Sequence, residues 1–234
     1  MYNIYGMMYS MQNKFDSSHP LYERAIDIIS RQKDKTSLSS MYVNNGIAYQ
    51  QQSNYAQALI NFQQALNVSE QAKDEEGEAY VYVNIAITYT SLNDLKRAEQ
   101  SYLKAIDLGK KLNLKNVLAY SYANLASVYE SLNDYDKEYS FSMQASVLGK
   151  EIGDKGIEAS SLSRAAGALA LAKEVVLDCQ YEQESPLTLS HRMHNISTKK
   201  LTKVRLSSTT IRPSAAEERT KAKNRSHTKS PGLQ

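Results

Sequence analysis

YVNIAITYTSLNDLKRAEQSYLKAIDL, the stretch from Tyr82 to Leu108, carries the plan of the whole fold. Its apolar and small residues fall at Tyr82, Ile85, Ala86 and Tyr89, then at Leu95, Ala98, Tyr102, Ala105 and Leu108, the i, i+3, i+4 spacing of two amphipathic helices. Between them Leu92-Asn93-Asp94 is a short polar turn whose aspartate can accept a hydrogen bond from an orphan amide at the next helix start. Leu132-Asn133-Asp134 repeats that turn 40 residues later. The pattern predicts tight antiparallel helix pairs.

The same register extends outward without insertion or deletion. Tyr9, Tyr49, Tyr89 and Tyr129 recur every 40 residues, as do Ala25, Ala65, Ala105 and Ala145, the aromatics Tyr22, Phe62 and Tyr102, and the small residues Gly6, Gly46, Ala86 and Ala126. Fixed-period self-similarity of this kind marks a stacked repeat array. Alanines in each second helix let a neighbouring backbone approach to roughly 8–10 Å, and the aromatic three residues earlier fills the adjoining space. One hairpin leaves an apolar face open, which the next hairpin buries, so stability is close to a sum of unit and nearest-neighbour terms. Such an array points to a binding surface rather than a reaction centre.

The residues that carry this register resemble the tetratricopeptide repeats. An apolar residue, a small residue and an aromatic stand on the first helix (Ile85, Ala86, Tyr89; Leu125, Ala126, Tyr129), followed by Ala98, Tyr102 and Ala105 on the second. The resemblance implies an all-α, right-handed solenoid of antiparallel hairpins with first helices lining a concave surface. It is similar to the long-repeat variety found in bacterial signalling proteins and peptide-holding adaptors. The familiar repeat has about 34 residues; the additional ones here are assigned to the connections around Lys33-Asp34, Lys73-Asp74 and Gly153-Asp154, with both helices a turn longer. The fourth unit departs from the pattern, with Glu138 at the place of Ala58 and Ala98 and Ser142 at that of the aromatic. Its second helix is expected to pack less well.

A repeat domain is expected over residues 1–175, with units near 1–40, 41–80, 81–120 and 121–160 and a partial fifth helix over 161–175. Through Ser185 there are 17 Lys or Arg against 23 Asp or Glu, and from Pro186 onward 11 against 2, so −6 gives way to +9. Residues 176–234 are read as a basic, disordered tail. Its abrupt onset inside a repeat also resembles what a frameshift or added non-native sequence produces. Met1 falls within the first helix of unit one, as in a fragment of a longer array. The Ala-rich segment from Ala165 to Ala172 has little polar face, and self-association through residues 161–175 is expected.

The leading site is a ladder of asparagines. Asn44, Asn84 and Asn124 share one register position on successive first helices, where each amide offers donors and an acceptor to the backbone of an extended peptide. Tyr80, Tyr120, Val43, Val83, Ile47, Ile87, Gln50 and Gln51 surround them as apolar pockets and adaptable polar contacts. Three amides at about 0.5–1.5 kcal/mol per net hydrogen bond fall short of the roughly 8 kcal/mol of micromolar affinity. Tyrosine and aliphatic contacts must therefore supply much of the binding. The resembling family's carboxylate clamp needs Lys or Arg on these helices, but Gln50-Gln51, Thr90-Ser91 and Glu130-Ser131 stand after the register tyrosines. The acidic run Asp74-Glu75-Glu76 with Glu78 reads first as a solvated edge and second as a dock for a basic partner.

Catalysis is not expected: no phosphate-binding glycine loop and no Ser, His and Asp arrangement appears, and no cofactor or metal is implied. Cys179 is the single cysteine and has no basic neighbour to make it a thiolate. His191 and His194 are three apart but lack a carboxylate or Cys cluster. The start Met1-Tyr2-Asn3-Ile4 lacks a signal-peptide pattern, no run is long enough to span a membrane, and a cytoplasmic chain is expected. Three readings follow: an interaction adaptor that binds a protein or peptide, a sensory or regulatory module, and a nucleic-acid binder acting through Lys199, Lys200, Lys203, Arg205 and Arg219 to Arg225. The last is disfavoured by the absence of interleaved aromatics and of any known motif.

Overall fold

The computed structural model describes residues 1–181, with side chains to residue 173. Among these the chain forms nine helices and no strand: α1 (Tyr2–Met11), α2 (Phe15–Gln32), α3 (Lys35–Gln51), α4 (Tyr55–Ala72), α5 (Glu75–Ser91), α6 (Leu95–Leu112), α7 (Lys115–Leu132), α8 (Tyr135–Ile152) and α9 (Lys155–Tyr181). First helices from α3 onward begin at 35, 75, 115 and 155, and second helices at 15, 55, 95 and 135, so the 40-residue register is kept in space. Each hairpin packs internally, each second helix through α6 packs on the next first helix, and first helices touch in series, α1 on α3, α3 on α5 and α5 on α7. That order lays the first helices side by side along one wall of a solenoid. The compact unit they form spans Met1–Glu174.

The chain reversals explain the tightness. Asp34, Asp74, Asp94 and Asp134 each accept the backbone amide three residues on, and the residue before each, Lys33, Lys73, Asn93 and Asn133, is left-handed. An αL residue followed by an N-cap ends one helix and starts the next at once. The connections Lys33-Asp34, Lys73-Asp74 and Gly153-Asp154 are therefore two residues long. This corrects the expectation that the repeat's additional length lies there: it lies in the helices, with α2 to α8 each 17 or 18 residues long. For the same reason α9 begins at Lys155, ahead of residue 161, because Asp154 caps it by accepting from the Ile157 amide at 2.9 Å.

The core follows the small and large positions of the register. Phe62 lies over Gly46 so closely that a Cβ there would stand 2.6 Å from Phe62 Cε1, and Tyr22 lies over Gly6 in the same way. Tyr22, Phe62 and Tyr102 are fully buried, and burial of each such side chain contributes about 1.5–3 kcal/mol. In the fourth unit Ser142 stands at the aromatic position, and Phe141 takes over from one place earlier, stacking on Tyr122 at 5.8 Å and Tyr129 at 5.4 Å. Ser121 Oγ, Glu138 Oε2 and Ser142 Oγ are buried without hydrogen-bond partners. Burial pushes the Glu138 carboxyl up to about 7.

The register tyrosines sit where helices meet, within a hairpin and between hairpins. His19 stacks on Tyr49 with ring centroids 3.7 Å apart, Arg97 covers Tyr89 at 4.6 Å, and Lys137 covers Tyr129 at 4.7 Å. The Tyr129 hydroxyl donates to Glu99, and burial together with that carboxylate raises its phenol well above the ordinary value. Tyr49 and Tyr129 therefore join one hairpin to the next, while Arg97 and Lys137 each cover the tyrosine of their own hairpin.

Candidate functional site: the wall of first helices

Helical period places Asn44, Asn84 and Asn124 half-buried on α3, α5 and α7. Asn84 Nδ2 donates to the Tyr80 carbonyl and Asn124 Nδ2 to the Tyr120 carbonyl, both at 2.9 Å. A carbonyl can only accept, so the orientation of these two amides is fixed. Each keeps its Oδ1 and a second N–H for a partner. Asn44 differs: its Nδ2 donates to Asn3 Oδ1 at 3.0 Å and ties α3 to α1.

The surrounding residues divide by exposure. Tyr80 and Tyr120 are 42% and 47% exposed. Val43 and Ile47 are half-buried against the Phe62 cluster, Ile87 against that of Tyr102 and Val83 against Ala105 and Val117, so each shows the wall only part of its surface. Gln50 and Gln51 are engaged within the array, Gln50 Nε2 donating to Thr88 Oγ1 at 3.1 Å and Gln51 Oε1 accepting from Ser10 Oγ at 2.6 Å. Arg164 on α9 continues the asparagine register and pairs with Glu130 of α7.

Two features of the structure had no clear signal in the sequence. Between α3 and α5 lies a cavity of about 220 Å³ lined in part by Ser40, Asn44, Asp74 and Tyr80. Ser40 on its wall is small where Tyr80 and Tyr120 stand at the same register position in later units. The second is a buried chain of polar groups: His19 Nδ1 lies 2.8 Å from Asn45 Oδ1, Asn45 Nδ2 donates to Asn61 Oδ1, and Asn61 Nδ2 donates to the Gln57 carbonyl. It links α2, α3 and α4 where Ile85 and Leu125 make apolar contacts in later seams. The side chain of Cys179, the pair His191 and His194, and the basic residues from Lys199 to Arg225 lie outside the described residues.

Comparison with known proteins gives the family. A model described as "Tetratricopeptide repeat" matches residues 37–111, and a second with the same description matches residues 119–146. No curated protein matches the sequence. Among solved structures, BtubC from P. vanneervenii is 19% identical with a TM-score of 0.57, over 74% of this chain and 80% of that one. The signal transduction ATPase with a tetratricopeptide repeat sensor from Pyrococcus horikoshii is 18% identical with a TM-score of 0.66, over 78% of this chain and 30% of that one. The apo form of RapI is 18% identical with a TM-score of 0.59, over 87% of this chain and 83% of that one. At these identities the likeness is one of fold.

Proposed function

Because the chain is a tetratricopeptide-repeat protein, we propose that it is a non-catalytic, cytoplasmic interaction module whose wall of first helices holds an extended peptide or a partner helix. The observation that carries this reading is the pair of fixed amides, Asn84 and Asn124, at one register position on neighbouring helices beside the exposed rings of Tyr80 and Tyr120. Amides repeated at the array's own spacing suit a ligand whose polar groups also repeat, which a peptide backbone supplies. The rings add the apolar area that amides alone lack. Among the described residues no helix is long and apolar enough to cross a membrane.

Selection of short peptides from a random display library on the full chain tests the proposal. Enriched peptides are expected to bind at least about tenfold more weakly, roughly 1.4 kcal/mol, to the Asn84→Ala, Asn124→Ala double variant. Equal binding to both proteins would mean that the asparagines serve the helices alone.

A second reading, a sensory or regulatory repeat domain, is favoured by the likeness to an array that serves as the sensor of a larger signal-transduction ATPase. In that reading the same wall binds the signal. Self-association through the exposed Leu162 and Leu169 of α9 is compatible with either role.

A further inference from the structure

The α7–α9 seam shows how the α3–α5 cavity is filled elsewhere in the same molecule. In the former, the Tyr120 hydroxyl donates to Asp154 Oδ2 at 3.2 Å, and Asp154 is the N-cap of the following first helix. Moving back two repeats, Tyr120 becomes Ser40 and Asp154 becomes Asp74. Asp74 keeps the cap, accepting from the Gly77 amide at 2.9 Å, but loses the phenol, and the cavity of about 220 Å³ opens in its place.

Ser40 and Asn44 each turn a donor away from this cavity. Ser40 Oγ donates to the Thr36 carbonyl at 3.1 Å and one N–H of Asn44 Nδ2 goes to Asn3, which leaves lone pairs on the Ser40 oxygen and, on Asn44, Oδ1 with a second N–H. Among the described residues Asp74 forms no ion pair, whereas the second-helix caps Asp94 and Asp134 are paired with Arg97 and Lys137. Tyr80 supplies an exposed ring, whose face attracts cations. The positive end of the α5 dipole, equivalent to roughly +0.5 charge, opposes a cation here. It is outweighed by Asp74, Glu75, Glu76 and Glu78, of which, among the described residues, Glu75 alone is in an ion pair, with Lys111. That surplus is felt locally: burial and then the carboxylates of Glu70, Glu75 and Asp74 raise Glu78 above the usual range.

We propose that the cavity between α3 and α5 is a binding site for a cationic side chain, lysine or arginine, of a separate basic peptide lying along the wall of first helices. The ammonium or guanidinium group takes the position that the Tyr120 hydroxyl holds against Asp154, with Asp74 as its counter-ion and Tyr80 alongside. This rests on the peptide-binding reading and adds the chemistry of one residue of the ligand.

The test is an NMR titration of the isotope-labelled full chain with a capped Ala-Ser peptide whose central residue is lysine, arginine, norleucine, tyrosine or glutamate. The Gly77 amide, bonded to Asp74, is the reporter. A saturating shift at Gly77 is expected with lysine and arginine, about tenfold weaker with norleucine. It should be lost in Asp74→Asn, which preserves an N-cap residue, and in Ser40→Tyr, which installs the ring already accommodated in the α7–α9 seam. Glu76→Gln, which removes a charge of the same acidic run that does not line the cavity, should weaken it far less than Asp74→Asn does. Equal response to tyrosine, norleucine or glutamate would overturn the proposal, as would equal loss in Glu76→Gln, persistence in both cavity variants, or no shift at Gly77. Shifts at the Asn84 and Asn124 side-chain amides without one at Gly77 would leave the peptide-binding reading standing and remove this one; silence at both would remove both.

Discussion

Glu138 brings a carboxyl into a position where two other units carry alanine, and it is 2% exposed with one oxygen unpartnered. Its folded value of about 7 lies above the unfolded value of about 4.3, so between those pH values the folded chain holds a proton that the unfolded chain has released. Stability contributed at this residue is therefore greatest below the lower value and is lost as pH rises through the higher one. Glu138→Ala should stabilise the protein by about 1–3 kcal/mol at pH 8 and by much less at pH 5, read from urea unfolding at both. An equal gain at both pH values would mean that the carboxyl is solvated. The replacement of alanine by Glu138 and of the aromatic by Ser142 was legible in the sequence as a break in register. What Phe141 does about it was not, because its stacking depends on the rotation of α8 against Tyr122 and Tyr129. Asn45 was equally silent: one polar residue at an apolar register position means little until His19 and Asn61 are seen on either side of it.

At the scale of the helix, the ring-over-glycine contacts set the spacing within a hairpin. Alanine is a better helix former than glycine by about 1 kcal/mol, and Gly167, with nothing within 4 Å of an added Cβ, should show that gain. Gly46→Ala should instead cost about 1–3 kcal/mol, because Phe62 is fully buried and has no room to retreat. Thermal unfolding of the two variants compares them directly, and a gain at both sites would mean that α3 and α4 separate readily. Helix existence and pairing were readable from period and caps, as in Asp94 before α6. The length of the connections was not, since the same Lys73-Asp74 pair serves a two-residue reversal or a longer loop until the αL geometry of Lys73 is known. The asparagine row was likewise readable as a row. The binding of Asn44 to Asn3, and of Gln50 and Gln51 to neighbouring helices, depends on how α1, α3 and α5 approach one another.

For the whole array, the last first helix is chemically unlike the others. Leu162 and Leu169 are 46% and 45% exposed, while their register counterparts Tyr122 and Tyr129 on α7 are each 5% exposed beneath α8. Exposed leucines at that spacing form an apolar stripe with affinity for another helix. The full chain should therefore sediment with a concentration-dependent mass, and Leu162→Ser with Leu169→Ser should reduce it; a monomer at every concentration would show that the stripe is tolerated in water. The reversals described above carry a different consequence. Left-handed residues at Asn13, Lys33, Ser53, Lys73, Asn93, Asn113 and Asn133 are all other than glycine, and each holds a conformation disfavoured for an L-residue by roughly 1 kcal/mol. None of them lines the cavity or belongs to the asparagine row. Because the terms of a one-dimensional stack nearly add, an engineer has here a graded set of thermostability dials, one at every corner but that of Gly153, that can be turned without rewriting the recognition surface.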